Sequence, residues 1–152
     1  MKRRRLMLAF FFVYLLKILK NMKKISEEIK VANYATFKRY LINLIGEEKY
    51  NNIATLMGGE EFIVDGSFGM SEDSGTAYEG ALVEVALSIA EYAKKINELL
   101  PEDKRVKNSS IYKVALLQHI AKSAMYIEND NEWEVKNRGI YYKFNDDIGY
   151  TC

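Results

Sequence analysis

A mainly α-helical domain of about four or five helices, with one β-hairpin after its central helix, is what the sequence predicts. Three observations carry that expectation. Between positions 25 and 125, apolar residues recur at the three- and four-residue spacing that gives a helix one buried face. Gly46, Gly58-Gly59 and Pro101 divide that stretch into segments of helical length. After Tyr126 the pattern shifts towards alternation, with a glycine where a hairpin would turn.

The chain begins with a basic cluster, Met1 to Arg5, followed by the apolar run Leu6 to Leu16. Such a beginning is like that of a signal peptide, but no small-residue cleavage site follows. The run is also short of the roughly 20 residues that cross a bilayer as a helix. Three readings stay open for residues 1–21: a membrane-surface anchor, an uncleaved signal anchor, or an upstream extension before a domain that starts at Met22. The extension is preferred, because Met22-Lys-Lys-Ile-Ser-Glu-Glu is itself a plausible beginning. It makes residues 22–152 a single domain in the cytoplasm; the alternative is membrane association through the apolar run.

Ser26 and the acids after it predict a helix start. Ile29, Ala32, Tyr34, Phe37, Tyr40, Leu41, Leu44 and Ile45 continue at helical spacing to Gly46, a natural terminator. A shorter helix spans Glu47 to Met57, up to Gly58-Gly59. Residues 60–77, rich in glycine, serine and acids, read as a long connector pinned by Phe62 and Phe68. Tyr78 to Leu100 is a long amphipathic helix that Pro101 closes. Asn108-Ser109-Ser110 is suited to cap the next one. The hairpin is expected to pair Glu132–Lys136 with Ile140–Phe144 around Asn137-Arg138-Gly139, its tyrosines and tryptophan packing over the bundle.

Ser110 to Met125 is expected to be the central, most buried helix, because apolar residues cover nearly its whole circumference at about 100° per residue. Its polar exceptions then need partners, since an unpaired buried polar group costs about 1–3 kcal/mol. Gln118, His119 and Lys122 fall in one sector, with Ser123 beside it; His119 is the only histidine. With Glu84 from the preceding helix they form a candidate polar pocket. A lone histidine on such a helix is more often a hydrogen-bonded core residue than a ligand. No orienting acid supports a nucleophilic role for Ser123. Gly58-Gly59 lacks the strand, lysine and helix of a phosphate loop.

Charge narrows the partners. Eight of the 22 basic residues lie in residues 1–24, which hold no acid, leaving 14 against 21 acidic residues and a net of −7 for the rest. An acidic body argues against nucleic-acid binding through a basic face. The single cysteine, Cys152, excludes an intrachain disulfide and fits a reducing compartment.

Two stretches resemble the phage and bacterial HD-domain phosphohydrolase-like family. Tyr78-Glu-Gly-Ala-Leu-Val-Glu-Val-Ala-Leu87 is similar to its Y-E-G-G-L-x-x-H-S-L helix, and Val114 to Lys122 is similar to its L-L-H-D-x-x-K helix. The likeness covers residues 36–150, including helix order and the hairpin, and implies an HD-like helical bundle. It also implies a phage or mobile-element origin. In that family, histidines and carboxylates hold one or two divalent ions that activate water. Here the first metal histidine falls on Val85 and the His-Asp pair on Gln118-His119, while only Lys122 keeps its residue type. The family's further ligands come from helices beyond the hairpin, past Cys152. The resemblance thus implies a degenerate, C-terminally truncated member without metal, cofactor or catalytic residues, acting as an interaction or structural protein. The alternative is a metal-dependent phosphohydrolase with a site rebuilt from Glu84, His119 and Lys122. Lacking the completing helices, such a domain is expected to self-associate or bind a protein partner, partly through the Tyr78–Leu100 helix. Membrane contact is expected only through residues 1–21.

Overall fold

The computed structural model describes residues 25–147; the segment at 1–21 with its three readings, and Cys152, lie outside the described residues. The chain is mainly helical, with a small two-stranded antiparallel sheet after the central helices. No helix among the described residues is long and apolar enough to cross a membrane.

Helix α1 (Glu27–Ile45) starts where Ser26 accepts the Ile29 N–H, with Glu27 and Glu28 in the first turn. It stops at Gly46, whose φ of 89° lies in the region glycine enters without strain. Phe37 and Leu41 are buried on its inner face. Helix α2 (Glu47–Leu56) adds Tyr50 and Ala54 to the core and ends at Gly58-Gly59. The connector after it is more ordered than its composition suggests. It contains a short helix α3 (Glu60–Val64) and a 3-10 turn at Glu72–Ser74. Ile63, fully buried, pins α3, whereas Phe62 is exposed.

Helix α4 (Ala81–Glu98) is the real centre. It buries Ala81, Leu82, Val83, Val85, Ala86 and Ala90 and packs on α1, α3 and α5 (Asn108–Leu117). Its alanines are the reason: small side chains let three neighbours approach one helix closely. At its far end the buried Asn97 side chain both donates to the Val106 carbonyl (2.8 Å) and accepts the Val106 N–H (2.9 Å), holding the loop that leads into α5.

The expectation that Ser110–Met125 is one central helix is corrected. The segment breaks into α5 and a single turn, α6 (Lys122–Met125). Only Ala115, Leu116 and Ser123 are buried in it, and Val114 is 63% exposed. Between the two pieces the hydrogen bonds shorten to i→i−3, from Ile120 to Leu117, Lys122 to His119 and Ser123 to Ile120. Three residues per turn rotate the later side chains off the face that a continuous α-helix would give them. Asn108–Ser110 form the first turn of α5 instead of preceding it.

The hairpin exists, but its first strand is β1 (Tyr126–Glu128), paired antiparallel with β2 (Tyr142–Phe144). The strand expected at Glu132–Lys136 is a helix, α7 (Glu132–Arg138). Asn131 caps it by accepting the Glu134 N–H, and two i,i+4 ion pairs, Glu132–Lys136 and Glu134–Arg138, line it. Gly139, left-handed at φ 60°, ends it. These local signals outweigh the apparent alternation. Trp133 is 63% exposed on α7 and does not pack over the bundle.

Candidate functional site

The polar residues singled out from the sequence are held by different partners. Glu84, on α4, accepts a hydrogen bond from the Tyr78 hydroxyl at 3.3 Å. Burial raises its pKa, and the Tyr78 bond only partly opposes that. Lys122 lies elsewhere: its Nζ donates to the Phe68 carbonyl at 2.9 Å and sits 3.8 Å from the centre of the Phe68 ring. The Tyr126 ring is 5.6 Å away on another side. No carboxylate forms an ion pair with it among the described residues, and burial lowers its pKa. Its partners are thus a carbonyl and two aromatic faces, which favour a cation without contributing a full charge.

His119 meets the same phenylalanine, edge to face at 5.0 Å. Burial, and then the nearby Lys122 charge, lower its pKa, which keeps the imidazole neutral at neutral pH. Gln118 is exposed, its N–H closing on the Val114 carbonyl at the end of α5. Ser123 is buried and donates to the Ile120 carbonyl at 2.7 Å, a bond that belongs to the tightened turn. Among the described residues no three His, Cys, Asp or Glu side chains gather as metal ligands would.

Sequence reasoning missed a different assembly. Lys30, on α1, is only 6% exposed, and its ammonium pairs with Glu27 (3.0 Å), Asp65 (2.7 Å) and Glu79. Burial by itself would lower its pKa, but the three carboxylates outweigh that and raise it. Gly80 makes the seat possible. With φ 82° it turns the chain from Glu79 into α4, and a Cβ there would come within 2.8 Å of the Lys30 Cγ. The sequence signal was a lysine on the apolar side of α1, between Ser26 and Phe37.

Asp65 and Glu79 also line open space. A cleft of about 400 Å³ runs between the end of α3 and β1, with Asp65, Ser67, Tyr126 and Ile127 on its walls. A second cleft of about 630 Å³ lies between the 72–79 segment and the start of β2, with Glu72, Tyr78 and Tyr141 on its walls. Glu79, Glu128 and Tyr142 line both. Burial pushes the Tyr142 hydroxyl up to about 12, and Glu128, Glu79 and Asp65 add to that against the opposing Lys30 charge. The junction of the clefts is therefore a place of negative potential with aromatic walls. It suits a cationic ligand, and two adjacent tyrosines at 141–142 were its only mark in the sequence. No family model matches the chain, and no curated protein or solved structure matches it.

Proposed function

We propose that the chain is a non-catalytic, HD-like interaction domain, residues 22–152, in which the metal centre of that family has been absorbed into ordinary packing. The observation that carries the reading is Val85, which stands where the resemblance puts the first metal histidine. It is 0% exposed in the second turn of α4, and its side chain has no donor atom for a metal. The rest of the former polar sector supports it. His119 and Lys122 are both engaged by Phe68, and Glu84 by Tyr78. The domain acts in the cytoplasm through contacts with another protein, and the single Cys152 fits that compartment.

Metal analysis of the purified protein, with a panel of nucleotide and phosphomonoester substrates, tests this. Substoichiometric iron, manganese and zinc, unaffected by His119→Ala, and no turnover are expected. Stoichiometric metal lost in His119→Ala, together with hydrolysis of any member of the panel, would establish the rebuilt phosphohydrolase site instead.

A further inference from the structure

The two strands of the small sheet differ in what covers their outer edges. Asn145 N–H donates to the Met125 carbonyl at 2.8 Å, and Asn129 N–H to the Tyr141 carbonyl at 2.9 Å. Hydrogen-bonded and non-hydrogen-bonded pairs alternate along an antiparallel ladder, so Ile127 and Lys143 form the bonded pair between them. Tyr126, Glu128, Tyr142 and Phe144 then direct their backbone groups outward. On β2 the connector covers this edge, as Tyr142 N–H donates to the Met70 carbonyl at 3.0 Å. On β1 the Tyr126 N–H closes on the Lys122 carbonyl. The Glu128 N–H and the outward carbonyls of Tyr126 and Glu128 meet no other described backbone group. That open edge is one wall of the smaller cleft.

We infer that this groove is a docking site for an extended basic segment of a partner protein, which adds as a strand to β1. The inference rests on the interaction-domain reading and specifies its partner. An unpaired edge beside a groove accepts peptide backbone, and alternate side chains of the added strand then fall into flanking clefts. Here those clefts offer Glu128, Glu79 and Glu72 with Tyr126, Tyr141 and Tyr142, which suit lysine or arginine. Glu128 has no ion pair among the described residues, and its carboxylate is available. One of these carboxylates, Glu79, already receives the Lys30 ammonium from inside. Residues 25–152 carry a net charge of −7, which favours a basic segment at this acidic surface, although residues 1–24 bring the full chain to +1.

Fluorescence anisotropy of the full chain with a labelled alternating Lys-Val decapeptide tests the inference, with the Glu-Val decapeptide as control. The basic peptide is expected to bind more weakly as salt rises, and to slow amide exchange at Glu128. Glu128→Gln, at an exposed position, is expected to keep its melting temperature and lose about threefold in affinity. N-methylation of alternate peptide nitrogens should abolish binding, because the strand pairing needs them. Equal binding of the methylated peptide, or no binding at all, overturns the inference. If metal and turnover are also absent in that case, the interaction-domain reading stands without this groove. Two further outcomes overturn it by naming another occupant. One is zero-length cross-linking of Lys17, Lys20, Lys23 or Lys24 to Glu79 or Glu128 within one chain. The other is a dimer that dissociates in Glu128→Gln.

Discussion

Lys30 and Lys122 are both largely withdrawn from water, yet they are held in opposite ways. Lys30 is met by three carboxylates, and its charged form is favoured. Lys122 has a carbonyl and aromatic faces, and its charged form is disfavoured. The first ties α1 to the end of α3 and the start of α4, fixing the wall of a groove. The second fills the gap between the connector at Phe68 and the turn after α5. A buried lysine is therefore not by itself a site. Its partners decide whether removing it strands charge or relieves it.

Lys30→Met removes the cation that the three carboxylates share. Deleting one partner of a buried ion pair can cost 3–5 kcal/mol, but Asp65 and Glu79 are 49% and 45% exposed and regain water. A loss of about 2 kcal/mol is therefore expected, measured by chemical denaturation. A variant as stable as the parent would show that the triad is a surface ornament. Because the Lys30 pKa is raised, its contribution is fully present below the unfolded lysine value and is lost only in strongly alkaline solution.

Gly80→Ala tests the same seat from its other side. The residue would have to hold φ 82° and place a methyl group 2.8 Å from the Lys30 Cγ. The lysine stem can yield, so the backbone strain dominates, and about 1–2 kcal/mol should be lost. In a Lys30→Ala background, which removes the Cγ, the steric part of that loss should shrink, while additivity of the two would separate the glycine from the lysine.

How much of this was legible depended on whether the signal was local. The caps at Ser26 and Gly46, and the closure of α4 near Pro101, are written in a few adjacent residues. The split of Ser110–Met125 was not legible, because apolar content counts the faces of an ideal helix and the i→i−3 bonds after Leu117 remove that ideal. Nor was α7, although Asn131, the paired charges and Gly139 spell a capped helix; the tyrosines that follow drew the reading towards strand. The Lys30 seat joins positions 27, 30, 65 and 79, and no spacing rule in one dimension connects them. Of the residues named as a polar pocket, His119 and Lys122 do share a neighbour, Phe68, whereas Glu84 and Gln118 stand apart from it.

Lys122→Met sharpens the contrast, because it should do much less than Lys30→Met. The stem and the ring contacts are kept in large part, no carboxylate is stranded, and the Phe68 carbonyl loses one donor. A change within about 1 kcal/mol of zero is expected at pH 7. The pH dependence has the opposite sign to that of Lys30. A lysine whose folded pKa is lowered binds fewer protons folded than unfolded, so stability should rise with pH through the lowered value and up to the unfolded one. Thermal melts from pH 8 to pH 10.5 should show that rise in the parent and a flatter course in Lys122→Met. A rise of equal size in both would assign it to other groups.

The smallest effect belongs to His119, beside the same ring. Its folded pKa lies below the unfolded value, so the unfolded chain takes up the proton first as pH falls. Stability should then decline with pH below about 6.5, the ordinary histidine value, until the folded pKa is passed. Carboxylates held by lysines, such as Glu60 beside Lys38, lose stability at lower pH again, because their folded pKa is lowered and their loss begins below the unfolded carboxylate value. The two declines are separated by that difference in range. His119→Gln keeps a planar polar side chain against Phe68 and removes the titration. It should therefore leave the melting temperature at pH 7.5 nearly unchanged and reduce the fall between pH 6.5 and 5.5, while leaving the fall below pH 4.5 intact. An identical fall in parent and variant between pH 6.5 and 5.5 would mean that the imidazole does not feel its burial, and that Phe68 holds only the lysine.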